Sequence, residues 1–348
     1  MPLVQATAAS LWWALALLGV ALVLAAIGLR RLKRRRLPAR LCGASAASTD
    51  AGAPVGRTLL GRYRIDRQLG RGAMGNVYLA HDTVSGRAVA IKTLALASEF
   101  EGIELTQARE RLFREADMAG RLKHPDIVTT YDTGEAQGQA LIAMEYVNGH
   151  DLFRYTQPAR LLPVPTVLHV AARVARALAY AHRQGVVHRD VKPANVMIDA
   201  LAPAGAGTVK VTDFGIARVT DAHRTRTGVV LGTPSFMSPE QMTGGTIDGR
   251  TDLYAVGVML FQLLTGALPH AAESMGRLMH QIANEPAPDV RSLRPELPEA
   301  LARVIARALE KRVEARYADG DQLAADLLAV AAALAPEVPL DAPPAGGA

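Results

Sequence analysis

His188-Arg189-Asp190-Val191-Lys192-Pro193-Ala194-Asn195 is the most informative stretch of this 348-residue sequence. Asp190 can accept or orient a hydroxyl proton, Asn195 offers a carbonyl oxygen to a hard cation such as Mg²⁺, and Lys192 can neutralise developing negative charge. Five positions of the stretch are specific. At about one in twenty per position, they match by chance roughly once in a few million sites. An accidental polar loop is therefore a poor explanation.

A second acidic motif, Asp213-Phe214-Gly215, follows the strand-like run 208–212 and begins eighteen residues after Asn195. Taken alone, these three residues are a common turn. Downstream of the first stretch, a carboxylate at a strand end followed by a flexible glycine is well placed to hold a metal ion. The sequence therefore predicts that Asn195 and Asp213 are metal ligands.

A glycine-rich motif lies upstream, with Gly70, Gly72, Gly75 and Val77 in the pattern G-x-G-x-x-G-x-V. Glycines let a backbone approach phosphate oxygens with no Cβ in the way. A dinucleotide-binding turn has the same glycine spacing but leads into a helix, whereas the residues from Val77 onward, VYLAHD, indicate a strand. A glycine-rich hairpin over a nucleotide is favoured, with an ordinary tight hairpin as the alternative.

A lysine in a strand-like run, Val89-Ala90-Ile91-Lys92, lies fifteen residues beyond Val77. A lysine at a cleft is a point cation suited to phosphates, although Lys92 alone is equally compatible with a solvated edge strand. The helix that follows carries Glu115, which could hold Lys92 in register by an ion pair. Glu110 on the same helix is the rival candidate.

The patterning of the chain changes partway along its length. Short strand-like runs punctuated by Gly, Asp and Ser fill residues 63–146, interrupted by one helical stretch at 104–122. From residue 164 onward, apolar residues recur at helical spacing. This pattern predicts an α+β chain with two lobes, a small β-rich lobe and a larger α-helical lobe, and a ligand site where they meet.

An uncharged apolar run at residues 11–29 precedes these lobes. As a helix it would span roughly 28 Å, close to the hydrocarbon core of a bilayer. Residues 1–10 contain no Lys or Arg, and the basic residues come after the run, which favours a transmembrane helix with a cytoplasmic C-terminal side. A cleaved signal and a buried core helix are the alternatives.

The charge of the chain is concentrated in one place. The net charge is +6, and residues 30–40 (RRLKRRRLPAR) carry seven positive charges, so the rest carries about −1 (6 − 7). The basic segment is interpreted as a topology determinant that can also contact anionic lipid. It has no interleaved aromatics, so no nucleic-acid partner is expected. The single cysteine, Cys42, cannot form an intrachain disulfide, which suits a reducing cytosol.

The order of these motifs, with a later Ser238-Pro239-Glu240, resembles the protein kinases. The motif sequences are most similar to those of bacterial eukaryotic-like (Hanks-type) Ser/Thr kinases, especially in the stretches GRYRIDRQLGRGAMGNVYLA and DFGIAR. The resemblance implies a bilobal kinase fold over residues 61–334. Around it, the hydropathy, charge and composition predict an extracytoplasmic N-terminus at 1–10, the membrane helix at 11–29, a basic juxtamembrane segment and linker at 30–60, and a disordered tail at 335–348. Ser238 departs from the usual Ala of this motif without removing a catalytic group.

The resemblance implies ATP as the phosphoryl donor and Mg²⁺ as the metal, with Mn²⁺ as an alternative. Asp190, Lys192, Lys92 and its partner Glu115 would be catalytic. Asp252 would brace the catalytic loop, and Glu240 would pair with Arg316. Met144 would be the gatekeeper beside a hinge at 145–147. The implied cofactor-binding set is Gly70, Gly72, Gly75, Val77, Ala90, Lys92, Met144, Glu145, Val147, Asn195 and Asp213.

Regulation and partners are also implied by the resemblance. Lys192 and Thr233 are typical of Ser/Thr kinases, and Arg189 would bind an activation-loop phosphate. We expect autophosphorylation at Thr225 and Thr227, with incidental threonines in a basic loop as the alternative. The expected partners are protein substrates, the membrane through one helix, and a second copy of the chain for activation. The expected location is the inner (plasma) membrane, single-pass, with the kinase domain in the cytoplasm.

Two other functions compete with this interpretation. A membrane-tethered pseudokinase would act as a scaffold, but every expected catalytic group is present. A kinase of small molecules would need no peptide-binding segment, whereas residues 233–240 resemble one.

Overall fold

A computed structural model describes residues 55–72, 75–98, 100, 102–136, 138–198, 207–214 and 234–334. The predicted membrane helix at 11–29, the basic segment at 30–40, the predicted tail at 335–348 and the threonines Thr225, Thr227 and Thr233, which are predicted to be regulatory, lie outside these residues. Within the described part, no helix is long and apolar enough to cross a membrane.

The small lobe is built on a six-stranded antiparallel sheet with the strand order β1-β2-β3-β4-β6-β5. One helix, α1 (Gly102–Gly120), follows β4. The strands are β1 (Thr58–Leu59), β2 (Tyr63–Gly72), β3 (Gly75–Asp82), β4 (Ala88–Leu94), β5 (Thr130–Ala136) and β6 (Gln139–Glu145).

Two apolar clusters stabilise this sheet. Because side chains alternate along a strand, one set of strand residues, including Tyr63 and Ile91, forms a cluster with Leu59. The other set, including Ile142, packs with Leu112 of α1. Leu59 belongs to β1, in the segment that the sequence assigns to the linker, so the small lobe begins no later than Thr58.

The large lobe contains six described α-helices and a small sheet in the order β7-β8-β9. The strands are β7 (His150–Asp151), β8 (Val196–Ile198) and β9 (Val209–Val211). The helices are α2 (Val164–Arg183), α3 (Pro239–Thr243), α4 (Gly249–Thr265), α5 (Met275–Asn284), α6 (Glu299–Ala308) and α7 (Gly320–Leu334).

Helix α4 is the centre of the large-lobe core. Thirteen of its seventeen residues are buried, so it is apolar on nearly all sides, as expected for an interior helix. Asp248 caps its N-terminus by accepting a hydrogen bond from the Arg250 N–H, and Gly266 ends it with φ 77°. This rigid helix carries Asp252 in its first turn, beneath the loop that contains Asp190.

The predicted change from strands to helices is confirmed over the described residues. The helix expected at 104–122 is α1, and the helix expected at 164–184 is α2, each within two residues of the predicted bounds. The motifs from the sequence lie on β2 to β4, on the segment between α2 and β8, and immediately after β9. These positions bring them towards the junction of the lobes.

Candidate active site

The loop that contains Asp190 is held from below by the buried carboxylate of Asp252. The backbone N–H groups of His188 and Arg189 donate to its two oxygens at 2.8 and 2.7 Å. His182 Nε2 lies 2.7 Å from the same carboxylate. Asp252 is 1% exposed, and such buried acceptors need several donors. The predicted brace is therefore present, and His182 is a third partner that the sequence analysis missed.

His188 fixes the loop from the other side. Its Nε2 lies 2.8 Å from the carbonyl oxygen of Thr212, and the Asp190 N–H donates to its Nδ1 at 3.3 Å. This pattern selects the tautomer protonated on Nε2. The ring also packs on Phe214 with 4.5 Å between centroids. The fully buried imidazole thus connects Asp190 to the residues on either side of Asp213.

Asp190, Lys192 and Asn195 form one hydrogen-bonded cluster. Asp190 Oδ2 accepts from Lys192 Nζ at 2.7 Å and from Asn195 Nδ2 at 3.1 Å. Asn195 Nδ2 also donates to the backbone oxygen of Asp190 at 2.8 Å. Because the amide nitrogen of Asn195 is turned towards Asp190, its carbonyl oxygen is the atom left to ligate a cation.

Lys92 and Asp213 join the two lobes across the cleft. Lys92 lies on β4 between Val77 of β3 and Ile142 of β6, and its Nζ is 2.7 Å from Asp213 Oδ2. Burial alone would raise the pKa of Asp213, but the charge and hydrogen bond of Lys92, with smaller contributions from His188 and Lys192, hold that pKa below its ordinary value. Asp213 is therefore ionised at neutral pH, as a metal ligand must be.

The backbone at Asp213 is unusual. Its φ is 64°, in the left-handed region that non-glycine residues rarely adopt. Such conformations cost about 1–3 kcal/mol and cluster at functional sites. The Thr212 N–H donates to the Asn195 backbone oxygen at 2.9 Å, so the two predicted metal ligands lie on backbone segments that are bonded to each other.

The donor set at Asn195 and Asp213 fits a hard divalent cation. Both offer oxygen, which Mg²⁺ prefers, and Mg²⁺ is commonly held by one or two protein ligands completed by phosphate oxygens and water. Among the described residues, no group of three or more His, Cys, Asp or Glu side chains could hold a metal by itself.

The glycine-rich motif forms the β2–β3 hairpin above the cleft. Gly70 pairs with Val77 and Gly72 with Gly75. Gly75 has φ 153°, and a Cβ there would lie 1.8 Å from the Thr93 carbonyl oxygen. A Cβ at Gly70 would meet nothing within 4 Å. A side chain at position 75 would therefore clash with the backbone of β4, whereas the position of a side chain at Gly70 is unoccupied by other protein atoms.

The predicted hinge follows the register of the sheet. Met144 pairs with Ala90 and Glu145 with Val89, so the gatekeeper position and the start of the hinge lie beside the strand that carries Lys92. Val147 follows β6 and is half-buried. A cavity near Met144 is lined by Ile142, Val128, Phe214 and Asp213, among others. The hinge strand thus borders the same space as Asp213.

Glu115 lies on the inward side of α1 and is 8% exposed, whereas its rival Glu110 is exposed. This difference favours Glu115, and not Glu110, as the acidic residue of α1 that takes part in the cleft. Lys92 forms an ion pair with Asp213. The pairing of Lys92 with Glu115 stays a prediction.

Two further predicted residues lie in the large lobe. Arg189 has φ 68°, and its carbonyl oxygen accepts from Gln241 Nε2 at 2.9 Å. Glu240 accepts from Arg316 through two bonds of 2.8 Å, so the predicted Glu240–Arg316 pair is present. Thr225, Thr227 and Thr233 lie outside the described residues, and their roles stay predictions.

A family model described as the protein kinase domain matches residues 63–328. The chain belongs to the protein kinase family. The serine/threonine-protein kinase pkn3 of Myxococcus xanthus is 41% identical over 287 residues, covering 79% of this chain and 51% of that protein. The serine/threonine-protein kinase PrkC of Bacillus subtilis is 37% identical over 274 residues, covering 78% of this chain and 41% of that protein.

Solved kinase structures agree with this assignment. The crystal structure of the Mycobacterium tuberculosis PknI kinase domain superimposes with a TM-score of 0.63 at 33% identity, covering 80% of this chain and all of that domain. The predicted resemblance to bacterial Ser/Thr kinases and the bilobal kinase fold are confirmed. The kinase chain spans about half or less of the length of the curated relatives described above.

Proposed function

We propose that this chain is an ATP-dependent Ser/Thr protein kinase. One observation carries the proposal: Lys92 of the small lobe and Asp213 of the large lobe meet at 2.7 Å, in a fold that also gathers Asp190, Lys192 and Asn195 into one cluster. Phosphoryl transfer needs positioning and charge stabilisation more than covalent chemistry. These groups have the chemistry that this reaction requires.

The nucleotide would lie between the glycine-rich hairpin and the hinge. A Cβ at Gly70 would meet no neighbouring atom within 4 Å, so phosphates could approach the hairpin backbone closely there. Lys92 would contact the α- and β-phosphates. Val77, Ala90 and Met144 would contact the adenine ring. The side chain of Glu145 is bonded to Lys210 and Thr129, so adenine recognition would fall to backbone groups of Glu145 and Val147.

Asn195 and Asp213 would hold Mg²⁺, or Mn²⁺ in its place. Such an ion, when bound, neutralises phosphate charge and helps to align the γ-phosphate. The depressed pKa of Asp213 keeps its carboxylate available for ligation. The brace from Asp252 and the buried ring of His188 hold both ligand segments in place before any ligand binds.

In the transfer step, Asp190 would accept a hydrogen bond from the Ser or Thr hydroxyl and orient its oxygen towards the γ-phosphorus. The new O–P bond forms as the bond from phosphorus to the β–γ bridging oxygen breaks. The hydroxyl proton passes to the Asp190 carboxylate, and ADP departs with the electron pair. Lys192, 2.7 Å from Asp190, would stabilise charge on the transferred group.

The relatives named above are serine/threonine-protein kinases, which supports Ser and Thr hydroxyls of proteins as the acceptors. Lys192, two residues after Asp190, and Thr233 support the same choice from the sequence.

The test is phosphate transfer from γ-labelled ATP to a general protein substrate in the presence of Mg²⁺. Wild type should transfer label, and Asp190→Asn should lose at least about 10²-fold of that rate. Asp289→Asn is a matched control, because Asp289 caps a short turn in the large lobe. Equal rates for wild type and Asp190→Asn would overturn the proposal. A wild type that binds ATP but transfers nothing would favour the pseudokinase.

We also propose regulation by autophosphorylation at Thr225 and Thr227, with Arg189 as a phosphate partner. Support comes from the arginines around these threonines in the sequence, since phosphate pairs strongly with arginine. Phosphopeptide mapping after incubation with ATP should find phosphate on at least one of them, and an active preparation with neither modified would contradict this.

Membrane anchoring through residues 11–29 is proposed from the sequence alone, with the kinase domain on the cytoplasmic side of the inner membrane. The full chain should partition with membranes and resist extraction at high salt, whereas a chain beginning at residue 37 should be found in the soluble fraction. Release of the full chain by salt would contradict a spanning helix.

A further inference from the structure

A lysine outside the kinase motifs, Lys210, ties the hinge to the large lobe. Its Nζ lies 2.7 Å from Glu145 Oε1 and 2.8 Å from Glu145 Oε2. Lys210 is the central residue of β9, and Glu145 is the last residue of β6. The two side chains are 14% and 25% exposed, so water screens this pair less than it screens a surface pair.

The same two side chains also hold the connector between α1 and β5. The Thr129 N–H donates to Glu145 Oε2 at 3.1 Å, and the Glu145 N–H donates to the Thr129 oxygen at 2.8 Å. Lys210 Nζ lies 3.5 Å from the carbonyl oxygen of Ile127. One ammonium group therefore faces both the hinge carboxylate and the connector backbone.

The connector is fixed to the large lobe independently of this ion pair. The Val128 N–H donates to the Val211 oxygen at 2.9 Å, and the Val211 N–H donates to the Asp126 oxygen at 2.8 Å. Arg173 of α2 adds an ion pair to the buried carboxylate of Asp126. The connector is thus a pivot that stays with the large lobe, and the Lys210–Glu145 pair adds a second attachment at the hinge strand.

The position of Lys210 links this attachment to the nucleotide site. Three residues after Lys210, the chain reaches Asp213, the predicted metal ligand, and the residue that Lys210 holds begins the predicted adenine-binding hinge. One nucleotide must contact the hinge with its adenine ring and the Asp213 metal site with its phosphates. The orientation of the hinge relative to β9 therefore decides whether the same molecule can reach both. An orientation fixed before binding lowers the entropic cost of binding.

We propose that the Lys210–Glu145 pair is a positioning latch that holds the hinge and Asp213 in the mutual orientation that a nucleotide requires. This inference rests on the proposed function. Without the latch, only a fraction of molecules would have the competent orientation, and the apparent affinity for nucleotide would fall by that fraction. Saturating ATP restores the orientation, so kcat would change little.

The test uses the full chain and measures the Kd for Mg·ADP, with KM for ATP and kcat alongside. Lys210→Met and Glu145→Gln should each raise Kd and KM about 3- to 10-fold. Lys210→Met, which lies outside the nucleotide-binding set, should leave kcat within about twofold. The double variant should bind Mg·ADP no more weakly than the weaker-binding single variant, because both substitutions remove the same interaction. Lys210→Glu combined with Glu145→Lys should recover part of the loss.

Arg62→Met is the matched control. It breaks the 2.7 Å ion pair to Asp82, which lies wholly within the small lobe, so it should lower thermal stability and leave Kd unchanged. The latch is overturned if both Lys210→Met and Glu145→Gln bind Mg·ADP as tightly as wild type, if their effects add in the double variant, or if Arg62→Met weakens binding equally. Failure of wild type to bind Mg·ADP would instead overturn the proposed function, and the latch with it.

Discussion

Two ion pairs of this kinase, one in the cleft and one in the large-lobe core, differ in what surrounds them. Lys92 and Asp213 in the cleft are 19% and 23% exposed. Arg316 and Glu240 in the core are 0% and 8% exposed. Both pairs are short, at 2.7 and 2.8 Å, so distance does not separate them. The difference lies in how fully each partner is satisfied by other groups.

The core pair is satisfied on every side. The two terminal nitrogens of Arg316 that contact Glu240 also donate to backbone oxygens, Nη1 to Arg250 and Nη2 to Lys311. The Nε of Arg316 donates to the backbone oxygen of Glu310. Thr251 Oγ1 donates to Glu240 Oε1 at 2.7 Å. Such a network has no capacity left for a ligand. It fixes the segment after Ser238 against helix α4, and its contribution is to stability.

The cleft groups are only partly satisfied by the protein. Asp213 has Lys92, and Asp190 has Lys192 and Asn195, but these partners are the groups that a nucleotide, a metal and a hydroxyl would need. The comparison teaches that, of these two short pairs, the one whose polar atoms are saturated is structural, and the one whose atoms can still bind other groups is available to the reaction. Four predictions test that distinction.

Removing the guanidinium of the core pair should have the largest effect. Arg316→Met leaves the Glu240 carboxylate buried without its cation, which costs about 3–5 kcal/mol. Chemical denaturation should show this loss of unfolding free energy. Arg183→Met is the matched control, because it breaks an ion pair whose partners are 60% and 52% exposed, and exposed pairs contribute at most about 1 kcal/mol. Equal losses in the two variants would contradict the distinction.

Neutralising the cleft pair should instead affect the reaction. Asp213→Asn keeps the shape of the side chain but removes the charge that ligates metal, so the rate of phosphate transfer should fall about 10²- to 10³-fold. The free energy of unfolding should change less than in Arg316→Met, since Lys92 and Asp213 are 19% and 23% exposed and water can solvate the groups that remain. A variant that is active at half the wild-type rate, or that unfolds as readily as Arg316→Met, would break the comparison.

The core pair should also respond to acid. Burial raises the pKa of Glu240, but the hydrogen bonds from Arg316 and Thr251 and the charge of Arg316 outweigh it and lower that pKa from 4.5 to about 2. Because the folded-state pKa is the lower one, the stability it contributes is complete above about pH 4.5 and is lost as the pH falls towards 2. The loss is roughly 3 kcal/mol.

The measurement compares wild type with Glu240→Gln between pH 7 and pH 3, so that other carboxylates cancel. The difference in unfolding free energy between the two proteins should narrow as the pH falls. Parallel curves would show that Glu240 does not titrate in this range, and would remove the electrostatic account of the core pair.

Local sequence patterns predicted much of this site. Strand periodicity placed Lys92 and Asp213 on or after strands, and the fixed spacing of Asp190, Lys192 and Asn195 placed them on one loop. Glu240 and Arg316, 76 positions apart, followed from the resemblance alone. In each case a recognisable motif supplied the long-range information that periodicity lacks.

Residues without a motif could not be predicted in this way. Lys210 is one lysine within a strand-like run, and its contact with Glu145 spans 65 positions, so no local pattern indicates it. His182 gains its role only because α2 and α4 pack together and bring it to Asp252. These contacts are tertiary, and a single sequence contains no periodic signal for them.

The glycine-rich hairpin gives the smallest predicted effect and the finest test of the distinction, because one motif contains both kinds of residue. The sequence assigns Gly70 and Gly75 the same role, whereas a Cβ would lie 1.8 Å from the Thr93 oxygen at Gly75 and would meet nothing within 4 Å at Gly70. Gly75→Ala should therefore lower the unfolding free energy by about 1–3 kcal/mol through strain and overpacking.

Gly70→Ala should leave stability unchanged and weaken Mg·ADP binding, because its Cβ would enter the space proposed for phosphates. Denaturation and nucleotide titration of both variants provide the check, and each variant is the control for the other. If Gly70→Ala destabilises the protein as much as Gly75→Ala, the hairpin is a structural unit throughout. If neither change alters nucleotide affinity, the phosphates bind elsewhere, and the glycine at position 70 is not explained by nucleotide binding.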